Sequence, residues 1–220
     1  YTGVELLRLL VNHPHVALDV ITSRGEAGTA VADLFPSLRG RTDLVFSEPD
    51  VKRLASCDVV FFATPHNVAM RMMPELMDAG VRVVDLSADF RLRDHELWSD
   101  WYGEPHACPE LLADAVYGLP ELLRDKIKPA RLVANPGCYP TAAALAIAPL
   151  LREQLIDTRG SIIINAASGI TGAGRTPKPN LHFPYVHNGY AAYGAIGGHR
   201  HQPEIEQTLS SIACSGGGRT

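Results

Sequence analysis

Two spacings of apolar residues alternate along the chain. From Val4 to Val11, Leu6, Leu7, Leu9 and Leu10 form a stripe of helical period, and Asn12-His13-Pro14 ends it because proline cannot continue a helix. This pattern predicts a short, buried helix. Val16-Ala-Leu-Asp-Val-Ile21 is rich in β-branched residues and stops at Thr22-Ser-Arg-Gly25, which reads as a strand and a glycine turn. Val59-Val-Phe-Phe-Ala63 is apolar at every position, the form of a strand covered on both faces. Val68 to Met77 then carries Met and Leu at three- and four-residue spacing, a helix. Val81 to Leu86 and Arg131 to Ala134 predict further strands, and Thr141 to Leu151 a helix rich in alanine and leucine. Buried strands alternating with helices over short connections call for a parallel sheet with right-handed crossovers, a doubly wound α/β domain of Rossmann type.

Between Arg91 and Pro129 the periodicity dissolves into Trp98, Trp101, Tyr102, prolines and scattered charges, a segment expected to wrap the sheet edge. Ser161-Ile-Ile-Ile-Asn165 predicts a strand that starts a second, α+β part; Ser168 to Arg175 is a glycine loop, and Pro203 to Ile212 is helical. Tyr1 opens directly on a helix, and Ser215-Gly-Gly-Gly-Arg-Thr220 supplies no closing element. The expectation is a piece cut at both ends, its sheet lacking a first strand.

Composition narrows the function classes. With 46% hydrophobic and 20% charged residues in 220, the chain can bury a core, and neither a membrane span, disorder nor a collagen-like repeat fits. Twenty basic against twenty-four acidic residues give a net charge of -4, too even for a surface that tracks nucleic acid. Cys57, Cys108, Cys138 and Cys214 form no C-x-x-C pair, which argues against a disulfide framework or structural zinc and for a reducing, cytoplasmic setting.

Cys138 carries the chemistry. It lies in Asn135-Pro-Gly-Cys-Tyr-Pro140 between a strand and a helix, where Pro140 suits the first turn and free backbone N–H groups favour a thiolate. Cys57, Cys108 and Cys214 read as structural. A cysteine nucleophile needs a proton-transfer partner, and His199-Arg-His201, after Gly197-Gly198 and before the Pro203 helix, is held at another element junction. His13, His15, His95 and His106 have bland surroundings, and no third ligand is spaced with His199 and His201 for a metal. Gly3 opening a helix, with a strand ending about twenty residues later, is what a dinucleotide fingerprint leaves when its first glycines are absent. Ser23 and Arg24 then stand where the cofactor ribose would lie, and a hydroxyl and a guanidinium there suit the 2′-phosphate of NADP.

These residues resemble the N-acetyl-gamma-glutamyl-phosphate reductases, relatives of aspartate-semialdehyde dehydrogenase. The likeness rests on Tyr1-Thr-Gly-Val-Glu-Leu-Leu7, Asp85-Leu-Ser-Ala-Asp-Phe-Arg91, Asn135-Pro-Gly-Cys-Tyr-Pro-Thr141 and Gly198-His-Arg-His-Gln-Pro-Glu-Ile-Glu206. The resemblance implies an NADP-binding domain over 1–135 and the N-terminal part of a catalytic domain over 136–220. It implies Cys138 as nucleophile and His199 as acid-base residue, with His201 supporting or replacing it. Ser87, Ser168 and Gly169 would contact the cofactor, and Arg91 would take the substrate phosphate. The implied reaction is NADPH-dependent reduction of an acyl phosphate through a cysteine thioester, releasing inorganic phosphate, in a homo-oligomer acting on a small molecule. The alternatives are an aminoadipate-type or aspartyl phosphate as substrate, or a non-catalytic NADP-binding regulatory protein.

Overall fold

The computed structural model describes residues 1–194 and 198–216. Gly197 of the glycine pair before His199 and the chain end from Gly217 to Thr220 lie outside them.

Four strands, β1 (Val59–Phe62), β2 (Arg82–Asp85), β3 (Ala115–Tyr117) and β4 (Leu132–Ala134), form one sheet in the order β1-β2-β4-β3. All pairs are parallel, with Val60 opposite Val83, Val84 opposite Val133 and Tyr117 opposite Ala134. The described helices are α1 (Thr2–Leu10), α2 (Val31–Leu34), α3 (Val51–Leu54), α4 (Ala69–Asp78), α5 (His95–Tyr102), α6 (Pro120–Ile127), α7 (Cys138–Arg152), α8 (Phe183–Val186) and α9 (Gln202–Gly216).

The main core joins Val60, Phe62, Val83, Leu132 and Ala134 of the sheet to Met70, Met73 and Leu76 of α4 and to Trp98 of α5. A second cluster under α1 gathers Leu7, Val31, Leu38 and Phe46, and a third packs α7 on α9 through Ala148, Leu151, Leu209 and Ile212. In β1 the uninterrupted apolar run is covered on one face only, since Val59 and Phe61 are 42% and 37% exposed. Helix α1 is short as expected but buries only Leu7, while Leu9 is 59% exposed.

Two expected strands are not formed. Residues 16–21 form no regular element: Leu18 and Ile21 pack on the cluster under α1, and pairing is confined to a parallel bridge between Thr22 and Ser47. Residues 161–165 are irregular, with Ile163 84% exposed. β-branched composition makes a segment fit a pleated sheet, but a strand exists only where a neighbour takes its N–H and C=O groups. Among the described residues neither segment has such a neighbour along its length. Conversely, the segment after Arg91 does more than wrap the sheet: it supplies the edge strand β3, three half-buried residues too few to show a period.

Helix α4 contains Pro74, which has no N–H to give the carbonyl four residues back. That carbonyl, Met70 O, accepts the Cys108 thiol at 3.2 Å instead. Cys108 is fully buried, and burial pushes its thiol up to about 12, so it stays a protonated donor. Cys108→Ala strands a buried acceptor, and we expect it to lower the unfolding free energy by about 1–3 kcal/mol in urea titrations without changing Cys138 reactivity. His106 is built into the same core: its Nε2 bonds Asp89 O at 2.8 Å, its Nδ1 accepts Cys108 N–H at 3.2 Å, and its ring meets Phe90 and Trp98 edge-on.

Candidate active site

The loops that leave the carboxyl ends of β1, β2 and β4 converge on one edge of the sheet, where ligands bind in open α/β folds. The loop after β2 is stiffened by its own polar groups. Asp85 accepts Ser87 N–H at 2.9 Å and Ser87 O–H at 2.7 Å, while Ser87 Oγ accepts Asp89 N–H at 3.1 Å. Asp89, fully buried, accepts Asn67 N–H at 2.8 Å and Met70 N–H at 3.1 Å, which caps the start of α4 and ties the β1 loop to the β2 loop. The Ser87 hydroxyl expected on the cofactor thus donates and accepts within the loop and shapes it from inside.

Burial pushes Asp85 up to about 6, against the two Ser87 hydrogen bonds and the Arg91 charge. Its folded value lies above its unfolded one, so the folded state holds the extra proton between 3.8 and about 6, and stability falls as pH rises through that window. Over it the parent should lose roughly 3 kcal/mol more than Asp85→Asn, measured by denaturant unfolding at each pH.

Helix α7 starts at Cys138, three residues earlier than its apolar pattern suggests, with Gly137 as N-cap and Pro140 in the first turn. The thiol is exposed. Gly137 N–H, which heads this turn, donates to Glu204 Oε1 at 2.8 Å. Glu204 is 1% exposed, accepts the Tyr117 hydroxyl at 2.7 Å and faces the Arg91 guanidinium at 3.6 Å. Burial pushes its carboxyl above the usual range, and Arg91, Gly137 and Tyr117 pull the other way. Tyr117, raised by burial and then by Glu204, remains a donor.

The imidazoles close over the same turn. A methyl group on Gly137 would meet His201 Nε2 at 2.6 Å and Glu204 Oε2 at 3.0 Å, so only glycine admits the ring this near to the turn that carries Cys138. Among the described residues His201 Nδ1 and Glu204 Oε2 are buried without a hydrogen-bond partner, and Oε2 faces only the Arg91 guanidinium. Burial first, then the positive charges of Arg91, His199 and Arg200, hold His201 down to about 4, so its ring is neutral at pH 7. His199 is lowered by burial and Arg200, and its Nδ1 accepts His201 N–H at 3.0 Å. Tyr139 stands edge-on to both rings, 5.3 Å from His199 and 5.9 Å from His201, and bonds Tyr193 through the two hydroxyls. Burial, the Tyr139 bond and the nearby Tyr139 and Cys138 push the Tyr193 phenol up to about 12. At Gly194, φ of +58° lets the chain turn within van der Waals reach of His199.

The structure thus sets His199 and His201 against Gly137 and Tyr139, the residues on either side of Cys138. Gly3 lies at the same sheet edge, its would-be methyl 3.8 Å from Ala63 Cβ at the end of β1. Ser23 is tied by its N–H to Ser47 O at 2.9 Å, and Arg24 follows it, exposed, in the turn. Ser168 and Gly169 sit in an exposed segment, the Ser168 hydroxyl on Gly169 O at 3.0 Å, and among the described residues no hydrogen bond joins them to Cys138. Arg91, expected on substrate phosphate, donates instead to Asn135 O at 2.8 Å and Leu86 O at 2.9 Å and pairs with Glu204. It staples the ends of β2 and β4 to α9. Tyr117 and Glu204 were not legible as site residues, since Tyr117 lies in a strand without a period and Glu204 looks like an ordinary acidic residue in a first helical turn. Among the described residues no group of three His, Cys, Asp or Glu could hold a metal ion, and no helix is long and apolar enough to cross a membrane.

Residues 1–130 match the family described as semialdehyde dehydrogenase, NAD binding domain, and residues 138–217 match semialdehyde dehydrogenase, dimerisation domain. A relative named N-acetyl-gamma-glutamyl-phosphate reductase, from Alkalilimnicola ehrlichii, is 60% identical over 213 residues, covering 97% of this chain and 62% of its own length. One of the same name from Cellvibrio japonicus is 58% identical over 216 residues, covering 98% and 62%. The chain therefore spans about 62% of the length of these relatives. Among solved structures, aspartate semialdehyde dehydrogenase with NADP from Candida albicans aligns at TM-score 0.48 and 20% identity, over 69% of this chain and 44% of that one.

Proposed function

The chain belongs to the semialdehyde dehydrogenase family, and on that premise we propose that it reduces N-acetyl-gamma-glutamyl phosphate with NADPH to N-acetylglutamate 5-semialdehyde and phosphate, a step of arginine biosynthesis. The observation that carries this reading is an exposed thiol in the first turn of a helix whose N-cap is gripped by Glu204 and overlaid by His201. The name shared by relatives at 56–60% identity supports the choice of acyl phosphate. The dimerisation-domain match supports a homo-oligomer, and a biosynthetic role suits the cytoplasm.

A pyridine dinucleotide fits the carboxyl edge of the sheet. Thr64 Oγ1 and Asn67 Oδ1, both in the loop after β1, are buried there with no protein partner, and Gly3 leaves the opening of α1 unobstructed. The Arg24 guanidinium favours NADP through its 2′-phosphate. When bound, the reduced cofactor supplies a hydride.

The chain's own groups do the rest. His201, neutral at pH 7, takes the Cys138 proton; the thiolate attacks the acyl carbon, the C–O bond to phosphate breaks, and a thioester remains. Reduction of that thioester leaves a thiohemiacetal oxyanion, which the His201 imidazolium protonates; collapse of the adduct returns the thiol and frees the aldehyde. Gly137 N–H is spent on Glu204 and Pro140 has none, so Cys138 and Tyr139 N–H are the first-turn donors left for the oxyanion, each worth ~3 kcal/mol in comparable sites. The geometry favours His201 over His199 for proton transfer, because the His201 ring edge faces Gly137 whereas His199 Nδ1 already holds a backbone N–H.

The test is phosphate-dependent formation of NADPH from NADP and N-acetylglutamate semialdehyde by the full-length protein, with aspartate semialdehyde as the contrast. Strong preference for the acetylated substrate is expected; equal or better turnover of the other, or none of either, overturns the assignment.

A further inference from the structure

Helix α9 reads the rest of the site along one side. His201, whose carbonyl accepts Ile205 N–H at 3.0 Å, Glu204 and Gln207 recur every three residues. Gln207 touches none of the reacting groups. Its Nε2 donates to Arg91 O at 2.9 Å and its Oε1 accepts Arg93 N–H at 2.9 Å, the two bonds a neighbouring strand would give that stretch of backbone. Both ends of one rigid carboxamide are therefore committed to the loop after β2. Arg91 is gripped twice by α9, through its carbonyl by Gln207 and through its guanidinium by Glu204. The loop is itself braced against β2 and α4 by the Asp85, Ser87 and Asp89 bonds, so it is a firm reference for the helix.

We propose that Gln207 is a positioning residue: by clamping α9 to the backbone of Arg91 and Arg93 it sets the depth and rotation of the helix, and so holds Glu204 on Gly137 N–H and His201 over the Cys138 turn. The clamp joins the segment that matches the NAD-binding domain to the one that carries the histidines. Its catalytic consequence rests on the reaction proposed above. A ring shifted by a fraction of an ångström at Gly137 no longer meets the thiol at the right distance, and misplacement by about 1 Å can cost on the order of a hundredfold in rate.

The test uses Gln207→Met, which keeps length and loses both bonds, and Gln207→Glu, whose carboxylate accepts from Arg93 N–H but repels Arg91 O. Full-length protein is compared with its parent at each pH. Both variants should lower kcat about tenfold and leave KM for NADPH within about twofold, because the cofactor edge is untouched. Near pH 4, below the ordinary glutamate value of about 4.3, the carboxyl introduced by Gln207→Glu is largely protonated and both donates and accepts, so this variant alone should recover part of the deficit relative to the parent at the same pH; the charged groups around it are Arg91, Arg93 and Glu204. Amide exchange at Gly137 should rise in both variants at neutral pH. Unchanged kcat in both, or a Gln207→Glu deficit that is as large in acid, overturns the catalytic role. If the parent reduces no acyl phosphate, the reaction assignment falls and exchange at Gly137 alone decides: faster exchange retains the clamp, unchanged exchange removes it.

Discussion

Cys138→Ser should lower phosphate-dependent NADP reduction by at least about a thousandfold, while NADP should still bind with near-parental affinity in an equilibrium titration. The magnitude follows from the step that is lost. A serine hydroxyl is almost never ionised at neutral pH, and an oxygen ester is a poorer intermediate for both the acylation and the hydride step than a thioester. No other thiol is placed to substitute. Cys108 is buried and protonated against Met70 O. Cys57 is half-buried, with its thiol raised by burial and by Asp19. Cys214, though exposed where a buried position was expected, lies in the last turns of α9. Iodoacetamide should therefore modify Cys138 well before Cys108, and turnover should fall in step with that modification. Retained turnover in the serine variant would end the covalent mechanism.

Gly137→Ala should cost about a hundredfold in kcat and about 1–3 kcal/mol in unfolding free energy. The backbone there has φ of -66°, which alanine adopts without strain, so the cost comes from what the methyl meets rather than from the backbone. What alanine adds is a methyl 2.6 Å from His201 Nε2, closer than carbon can approach, and 3.0 Å from Glu204 Oε2, which must give by a few tenths of an ångström. The imidazole must swing away from the turn that carries Cys138, and the Glu204 hydrogen bond to Gly137 N–H must lengthen or break. Exchange of that amide reports the second effect directly. A variant as active as the parent would show that neither the imidazole position nor the Glu204 contact matters to the rate, whereas a collapse in stability would make Gly137 a folding residue only.

The alternation of β-branched and helical segments was enough to read β1, β2, β4, α4, α7 and α9 from the chain, because each buries a face whose period shows in its own residues. The place of Cys138 could be read as well. Asn135-Pro-Gly-Cys-Tyr-Pro140 couples a strand end, a turn and a helix start within six residues, so Cys138 is exposed at a helix N-terminus by local geometry alone. The 16–21 and 161–165 segments could not be read correctly, since strand formation depends on a partner and no local pattern states whether one is there. Edge strand β3 escaped for the opposite reason, its partner β4 making a strand of three residues that announce nothing.

Sequence by itself determined a parallel α/β fold, an exposed cysteine at a helix start and a pair of histidines ahead of another helix. Only the tertiary structure decided what surrounds them: that Arg91 staples strand ends to α9, that Glu204 is buried on Gly137, that His201 stays neutral at pH 7, and that Gln207 ties its helix to the β2 loop. These depend on groups 44 to 116 residues apart meeting in low dielectric. A charge or an amide of that kind looks, along the chain, like any residue facing water, and burial is what turns it into part of the site.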